Sequence, residues 1–327
     1  MINILEICKG AKKIGITGHI RPDGDCVGSV MAMWQFLTKA LPGADVEAVL
    51  QKPSPVFECI KGVTKILEDV SMEQGEAAMP QRNYDVLIIC DSIAERTGMG
   101  AHYAKTAGRI VNIDHHISNT GSGEYTYIVP EASSASELVY HVIHEADPEG
   151  DYMDAELAKT IYMGIVHDTG VFQYSNTSPQ TLCLAAKLVE YGFDFSKLID
   201  ETFYEKTYVQ NQILGRALLE SIRFMDGKCI VSGIDRQTMA FYGATSRDFE
   251  GIVNQLRITK GVEVAIFMYE TDTLQYKVSL RSKGGVDVSK VAVFFGGGGH
   301  VRAAGCNMTG TFHDVVNNLS EQIGLQL

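Results

Sequence analysis

Two rhythms of apolar and polar positions run along the chain, and the change between them falls near residue 191. Before it, short runs rich in Val, Ile and Leu at 13–17, 46–50, 85–90 and 109–113 stand between polar or turn residues. Short, continuous apolar runs of this kind predict strands buried on both faces. Helical spacing occupies 28–40, 134–145, 155–167 and 179–191. Short strands alternating with helices predict an α/β fold, a parallel sheet covered on both sides. In such sheets ligands bind beyond the carboxyl ends of the strands.

After residue 191 the spacing at 195–219 is helical but rich in polar positions, which suggests one or two connecting helices. Hairpin-like pairs follow, 221–224 with 228–234 and 263–269 with 275–280, together with helical stretches at 248–257, 287–295 and 311–323. The second part is therefore expected to be a smaller α/β domain with a mixed sheet. The expected division is 1–192, a helical linker over 193–220, and 221–327. A chain of 327 residues is longer than one core usually serves, which agrees with two domains.

Composition narrows the classes. With 45% hydrophobic and 21% charged residues the chain is globular, not disordered. Its net charge of −12 opposes binding to long duplex nucleic acid, which needs many Lys and Arg on phosphates. Nucleotide chemistry here should involve short pieces, with positive charge gathered locally by metal ions or a few arginines. No apolar run approaches the ~20 residues that span a bilayer, so no membrane partner is expected. Residues 1–10 lack the pattern of a signal peptide. The seven cysteines, Cys8, Cys26, Cys59, Cys90, Cys183, Cys229 and Cys306, form no CxxC pair. They predict free thiols in a reducing, cytoplasmic setting.

Four segments carry charge where a sheet protein should carry little. Residues 18–25 (GHIRPDGD) follow the first strand and hold His19, Asp23 and Asp25. Asp91-Ser92 and Asp114-His115-His116 end two further apolar strands, and His167-Asp168-Thr169-Gly170 ends an apolar helix. Singly, each has an ordinary reading: an Asp after a strand caps a helix or forms a turn, and a lone His is satisfied structurally. Jointly they put carboxylates and imidazoles at the edge where sites form. Carboxylates so gathered repel one another unless cations neutralise them. Oxygen and imidazole donors without thiolate suit Mn2+, Mg2+, Fe2+ or Zn2+, and a carboxylate-rich open site favours Mn2+ or Mg2+. Two such ions about 3.5–4 Å apart serve in-line phosphoryl displacement.

These residues carry a resemblance. The triplet Asp114-His115-His116 is similar to the signature of the DHH phosphoesterase family. The similarity extends to GHIRPDGDCVGS at 18–29, CDS at 90–92, HDTGVFQYSNTS at 167–178, and GGGGHVRAAG at 296–305 in a C-terminal DHH-associated domain. Within the family the chain most resembles the nano-RNase and phosphoadenosine-phosphate phosphatase branch. The resemblance implies a first metal on His19 and Asp23 and a second on Asp25, His115 and Asp168. Asp91 would bridge the two, and the ions, Mn2+ with Mg2+ or Co2+ as alternatives, would activate a water. It implies that His116 does not ligate but orients neighbours or contacts the scissile phosphate. Asp114 either fixes the histidines or takes a direct catalytic part.

In the C-terminal domain Gly297, Gly298 and Gly299 free backbone amides for an anion, and Arg281 is suited to paired N–H contact with phosphate. Alone, Arg257 or Arg281 reads as a solvated surface residue. The resemblance makes Arg257, Arg281, Ser282, His300 and Arg302 expected contacts to a substrate's phosphate or base, gripping the far end of a short substrate in an interdomain cleft. Val301 stands where the family motif has Pro, which loosens that loop. The activity so implied is hydrolysis of short oligoribonucleotides, with removal of the 3′ phosphate of phosphoadenosine phosphate. The alternatives are a cyclic or linear dinucleotide phosphodiesterase, a polyphosphatase, and a nucleotide sensor on the same scaffold. A homodimer is the oligomeric form common in similar proteins.

Overall fold

The structure is a computed structural model that describes residues 2–327. The chain forms two compact units, Met1–Glu205 and Lys206–Leu327.

The first unit is built on six strands: β1 (Lys13–Thr17), β2 (Asp45–Leu50), β3 (Leu67–Glu68), β4 (Val86–Cys90), β5 (Arg109–Asp114) and β6 (Tyr125–Ile128). All pair in parallel, in the order β3-β2-β1-β4-β5-β6. Alternation along β4 divides its side chains between two cores. Val86, Ile88 and Cys90 pack toward the helices Gly24–Ala40, Ala135–Ala146 and Ala155–Asp168. Leu87 and Ile89 pack with Tyr84, Met99 and Tyr103 on the other face. From β1 the chain moves outward to β2 and β3, then returns to β4 on the opposite side. The strand order therefore reverses between β1 and β4, the place where open parallel sheets leave a crevice at their carboxyl ends.

Two glycines let the helices behind that crevice approach. A Cβ on Gly28 would lie 2.8 Å from the Gly164 Cα, and one on Gly164 would lie 1.9 Å from Ser136 Oγ and 3.2 Å from Asp25 Oδ1. Glycine inside a helix costs roughly 0.5–1 kcal/mol against alanine. Forcing a methyl into a filled site costs about 1–3 kcal/mol, so glycine is the better residue here. The close crossing sets the first turn of Gly24–Ala40 beside the N-terminus of Ala135–Ala146.

The second unit holds β7 (Ile222–Phe224), β8 (Cys229–Ile234), β9 (Val264–Asp272), β10 (Gln275–Ser282), β11 (Gly298–His300) and β12 (Ala303–Thr309) in the order β11-β12-β10-β9-β8-β7. The sheet is mixed, as its hairpin spacing predicts: β8 and β9 are parallel and the other neighbours antiparallel. Val231, Ile266 and Met268 face Val315 and Leu319 of the Phe312–Gly324 helix, and Ile230 and Phe267 face Ile213 and Ala217 of Tyr208–Leu219. The stretch read as a linker is thus divided. Leu198 joins the first unit's core, while Ile213 and Ala217, one helical turn apart, join the second's.

The glycine run departs from the open anion loop that its composition suggests. Gly298–His300 is a strand, paired with Ala303–Gly305 in a hairpin. A Cβ on Gly297 would lie 2.2 Å from Gly305 O. One on Gly299, whose φ is +145°, would lie 2.5 Å from Ala303 O. Close backbone packing inside the hairpin accounts for those two glycines.

Candidate metal centre

His19 lies just beyond the end of β1. Its Nδ1 is 2.8 Å from Ile20 O, so Nδ1 carries a proton and Nε2 is turned to the acids. Nε2 faces Asp91 Oδ2 at 3.3 Å and Asp23 Oδ1 at 3.6 Å. Asp23 also caps a helix, its Oδ1 accepting N–H from Asp25 and Cys26 at 3.1 Å. That cap starts the helix at Gly24, four residues before the sequence spacing suggests, and moves Asp25 from the loop into the first helical turn.

Asp91 follows β4 directly with φ of +55°, a left-handed conformation that Asp tolerates better than most residues. Its two oxygens face different groups: Oδ2 looks to His19, and Oδ1 to His115 Nε2 at 3.6 Å. Oδ1 is buried and has no hydrogen-bond partner among the described residues.

His115 Nε2 is almost equidistant from Asp91 Oδ1, Asp168 Oδ2 at 3.7 Å and Asp25 Oδ2 at 3.8 Å. Asp25 is buried and oriented by a helix N-terminus. Ala135 N–H donates to Oδ2 at 2.6 Å and Ser136 N–H to Oδ1 at 2.9 Å. Asp168 ends the Ala155–Asp168 helix, and Asn176 Nδ2 holds it, donating to its Oδ2 at 3.2 Å and its backbone oxygen at 3.1 Å.

Asp114, the last residue of β5, is engaged at both carboxylate oxygens. Oδ1 accepts from the N–H groups of His115 (2.7 Å) and His116 (3.0 Å) and from His116 Nδ1 (2.8 Å), while Oδ2 accepts from Asn119 Nδ2 at 2.5 Å. Of its two readings, fixing the histidines fits this geometry. His116 is left half-exposed with Nε2 free.

Burial raises the Asp25 carboxyl well above its ordinary value, and the charges of Asp91 and Asp168 add to this. Asp168 rises to about 6, again through burial first; Asp91 raises it further while His115 opposes. Burial pulls His115 down, yet the adjacent Asp91 carboxylate and the charges of Asp25 and Asp168 carry it up to about 10. Such a group of acids wants positive charge. Ligands around one cation at about 2.0–2.2 Å stand roughly 3–4 Å apart, which matches the 3.3–3.8 Å separations found here. The unsatisfied Asp91 Oδ1 and the oxygen and imidazole donor set suit a divalent cation. Cys26 Sγ also lies close to His19 and Asp91. Burial pushes that thiol up to about 12.

The cleft over the cluster measures about 550 Å³ and also carries Arg21, Ser92, Arg96, Ser118 and Asn119. Sequence reasoning missed these as site residues. Arg21, Ser92 and Asn176 lay inside motifs already singled out, whereas Arg96 and Asn119 gave no signal of their own. His167 turns away from the chemistry. It packs edge-on to Phe57 and Phe203 with Nε2 3.2 Å from Thr202 Oγ1, and burial lowers it to about 4, leaving it neutral.

Within the second unit, Arg257 and Arg281 come together. Burial, then the Arg257 charge, lowers the pKa of Arg281, and neither guanidinium pairs with an acid among the described residues. His300 and Arg302 are exposed on the β11–β12 hairpin with Gly298. Ser282 is buried and used internally, its N–H donating to Arg302 O at 3.1 Å and its Oγ to Val301 O at 3.4 Å.

The DHH family N-terminal domain matches residues 13–165 and the DHHA1 domain matches residues 226–324. The chain carries a DHH domain followed by a DHHA1 domain. Among relatives, the bifunctional oligoribonuclease and PAP phosphatase NrnA of Bacillus subtilis is 29% identical, covering 89% of this chain and 87% of its own. The protein of the same name from Thermus thermophilus is also 29% identical, covering 94% and 88%. An exopolyphosphatase-related protein from Bacteroides fragilis superposes with a TM-score of 0.88 at 26% identity, over 98% of this chain and 94% of that one. All six candidate donors belong to the first unit, at the carboxyl edge of its sheet and on the two helices packed there.

Proposed function

We propose that the protein is a metal-dependent phosphoesterase that hydrolyses short oligoribonucleotides and removes the 3′ phosphate of phosphoadenosine phosphate, with Mn2+ as the working ion. The position of Asp91, one oxygen toward His19 and the other toward His115, carries the reading. His19, Asp23 and Asp91 would hold one cation, and Asp25, Asp91, His115 and Asp168 the other. Two divalent ions so bound would lower the pKa of a water and offset the charge on an attacked phosphate. The chain's own residues do the rest. Ile20 O fixes the His19 tautomer, the Ala135 and Ser136 amides aim Asp25, and Asp114 turns His116 so that Nε2 is free for the phosphate. In the DHHA1 domain the unpaired Arg257 and Arg281, with His300 and Arg302, suit the binding of a further phosphate or a base. The names of the NrnA relatives support the choice of short oligoribonucleotides and phosphoadenosine phosphate, and the net charge of −12 supports short over long substrates. Among the described residues no helix is long and apolar enough to cross a membrane. The buried free thiols support a cytoplasmic setting.

The deciding assay is a panel of diadenylate, longer RNA, short DNA, phosphoadenosine phosphate, cyclic dinucleotides and polyphosphate, each with Mn2+, Mg2+ and Co2+. Diadenylate and phosphoadenosine phosphate should be turned over fastest, and chelation should stop both. Preference for polyphosphate or a cyclic dinucleotide would replace the substrate reading. Inertness with every ion would end the enzymatic one.

Asn176 tests the support of the second cation. Replacing it with alanine removes the amide that steadies Asp168 and is expected to weaken Mn2+ binding by about 10–100-fold, the usual cost of losing a ligand's partner. Titration calorimetry with Mn2+ measures this; affinity unchanged within twofold would refute the role.

A further inference from the structure

The cleft holds two guanidiniums that the metal cluster does not use. Arg21 and Arg96 line the same wall as His19, Asp91 and His116, and both side chains are exposed. Neither forms an ion pair among the described residues, although the neighbouring Asp23, Asp91 and Asp114 are acidic. Their backbones are joined and fixed. Ile20 N–H donates to Arg96 O at 2.9 Å, tying the loop after β1 to the loop after β4. Arg21 has φ of +57° and is held there by its N–H donating to Gln51 Oε1 at 2.7 Å. A non-glycine residue in the left-handed region costs of order 1–3 kcal/mol and persists where its surroundings require it. About 550 Å³ is also more room than a single phosphate needs, and falls within the range of sites for whole small ligands.

We infer that Arg21 and Arg96 form a second anion subsite in the DHH unit, which takes a phosphate of the substrate other than the one being cleaved. Guanidinium matches phosphate through paired N–H donors, and no protein carboxylate competes for either. The preferred ligand is then a nucleotide with two phosphate groups, one at the acidic cluster and one at the arginines. A 5′-phosphorylated dinucleotide and a nucleoside 3′,5′-bisphosphate both meet this description. The inference rests on the phosphoesterase reading and adds a requirement to it: the second phosphate is recognised within the catalytic unit itself.

The test compares 5′-phosphorylated diadenylate with diadenylate lacking that phosphate, which share one scissile bond. Wild type, Arg21→Gln, Arg96→Gln, the double variant and Arg96→Lys are assayed with Mn2+. Both arginines are exposed, so the variants should fold. The double variant is expected to lose about 10-fold or more in kcat/KM on the phosphorylated substrate, mainly through KM, as charged hydrogen bonds of this strength imply. On the unphosphorylated substrate it should stay within twofold of wild type, and Arg96→Lys should recover part of the loss. An equal fall on both substrates, or none on either, overturns the subsite. If wild type cleaves neither, the phosphoesterase reading fails instead. Calorimetry with adenosine 3′,5′-bisphosphate against adenosine 3′-monophosphate then decides the subsite. Discrimination by wild type that the double variant loses supports it; discrimination unchanged in the double variant, or absent from wild type, refutes it.

Discussion

Asp91→Asn is expected to abolish metal-dependent hydrolysis while leaving the metal-free protein at least as stable as wild type. Asparagine keeps the shape of the side chain and tolerates the φ of +55° at this position, so the backbone need not move. It does remove a buried charge. Asp91 contributes to raising both Asp25 and Asp168, and its loss relieves that repulsion in the absence of cations. With Mn2+ present the balance reverses. Wild type gains stability as RT ln(1 + [L]/Kd) when an ion binds the folded state alone, and the variant lacks the carboxylate whose two oxygens face the two groups. Turnover of diadenylate should fall by more than about 100-fold, the upper end of what losing a mere supporting partner costs. Thermal unfolding with and without Mn2+, run beside the rate assay, separates the two effects. Turnover within tenfold of wild type, or an undiminished Mn2+ shift, would sink the shared role of Asp91.

What could be read from the sequence was whatever lay within a few residues. His19, Asp91 and Asp114 each follow an apolar run, so a parallel sheet and a site along its carboxyl edge were both legible. Asp23 was legible as a ligand candidate, and that reading hid its second task of starting the helix at Gly24. The edge strands β3 and β6, two and four residues long, exist because a neighbour offers hydrogen bonds, which local propensity does not record. The glycines at 297 and 299 spoke of backbone freedom but not of the partner, which is the hairpin's own second strand. Asn119 and Asn176 stand five and eight residues from the acids they hold, Asp114 and Asp168, and Asn176 lies inside the 167–178 motif, but a sequence does not show which side chain bonds which. Arg96 reaches the cleft through the fold alone.

Glu137→Ala should cost the fold about 3 kcal/mol or more at pH 7 and disturb the site at a distance. Glu137 is buried in the first turn of Ala135–Ala146. Its Oε2 accepts from Ser133 N–H at 3.2 Å, Ser133 Oγ at 2.5 Å and Thr181 Oγ1 at 2.9 Å, and His141 Nε2 stands 3.9 Å from Oε1. Burial works against the charged form, but His141, Ser133 and Thr181 outweigh it and hold the carboxyl down at about 2, against an ordinary 4.5. At about 1.4 kcal/mol per unit, a gap of that size corresponds to roughly 3 kcal/mol. The folded value lies below the unfolded one, so this stability is fully present above about pH 4.5 and is lost as pH falls toward 2. Alanine also strands the Ser133 and Thr181 donors, at a further cost of about 1–3 kcal/mol for a buried group left unpaired. Glu137→Gln keeps one acceptor and should lose less, and its unfolding midpoint should no longer carry this titration between pH 4.5 and 2. Ser133 O in turn accepts from Asn176 Nδ2 at 2.8 Å, and Asn176 holds Asp168. A loosened Ser133 should therefore reach the cluster as weaker Mn2+ binding. Urea unfolding at pH 7 and across the acid range measures the first effect and calorimetry the second. An alanine variant as stable as wild type at pH 7 would show that this carboxylate does not anchor the segment.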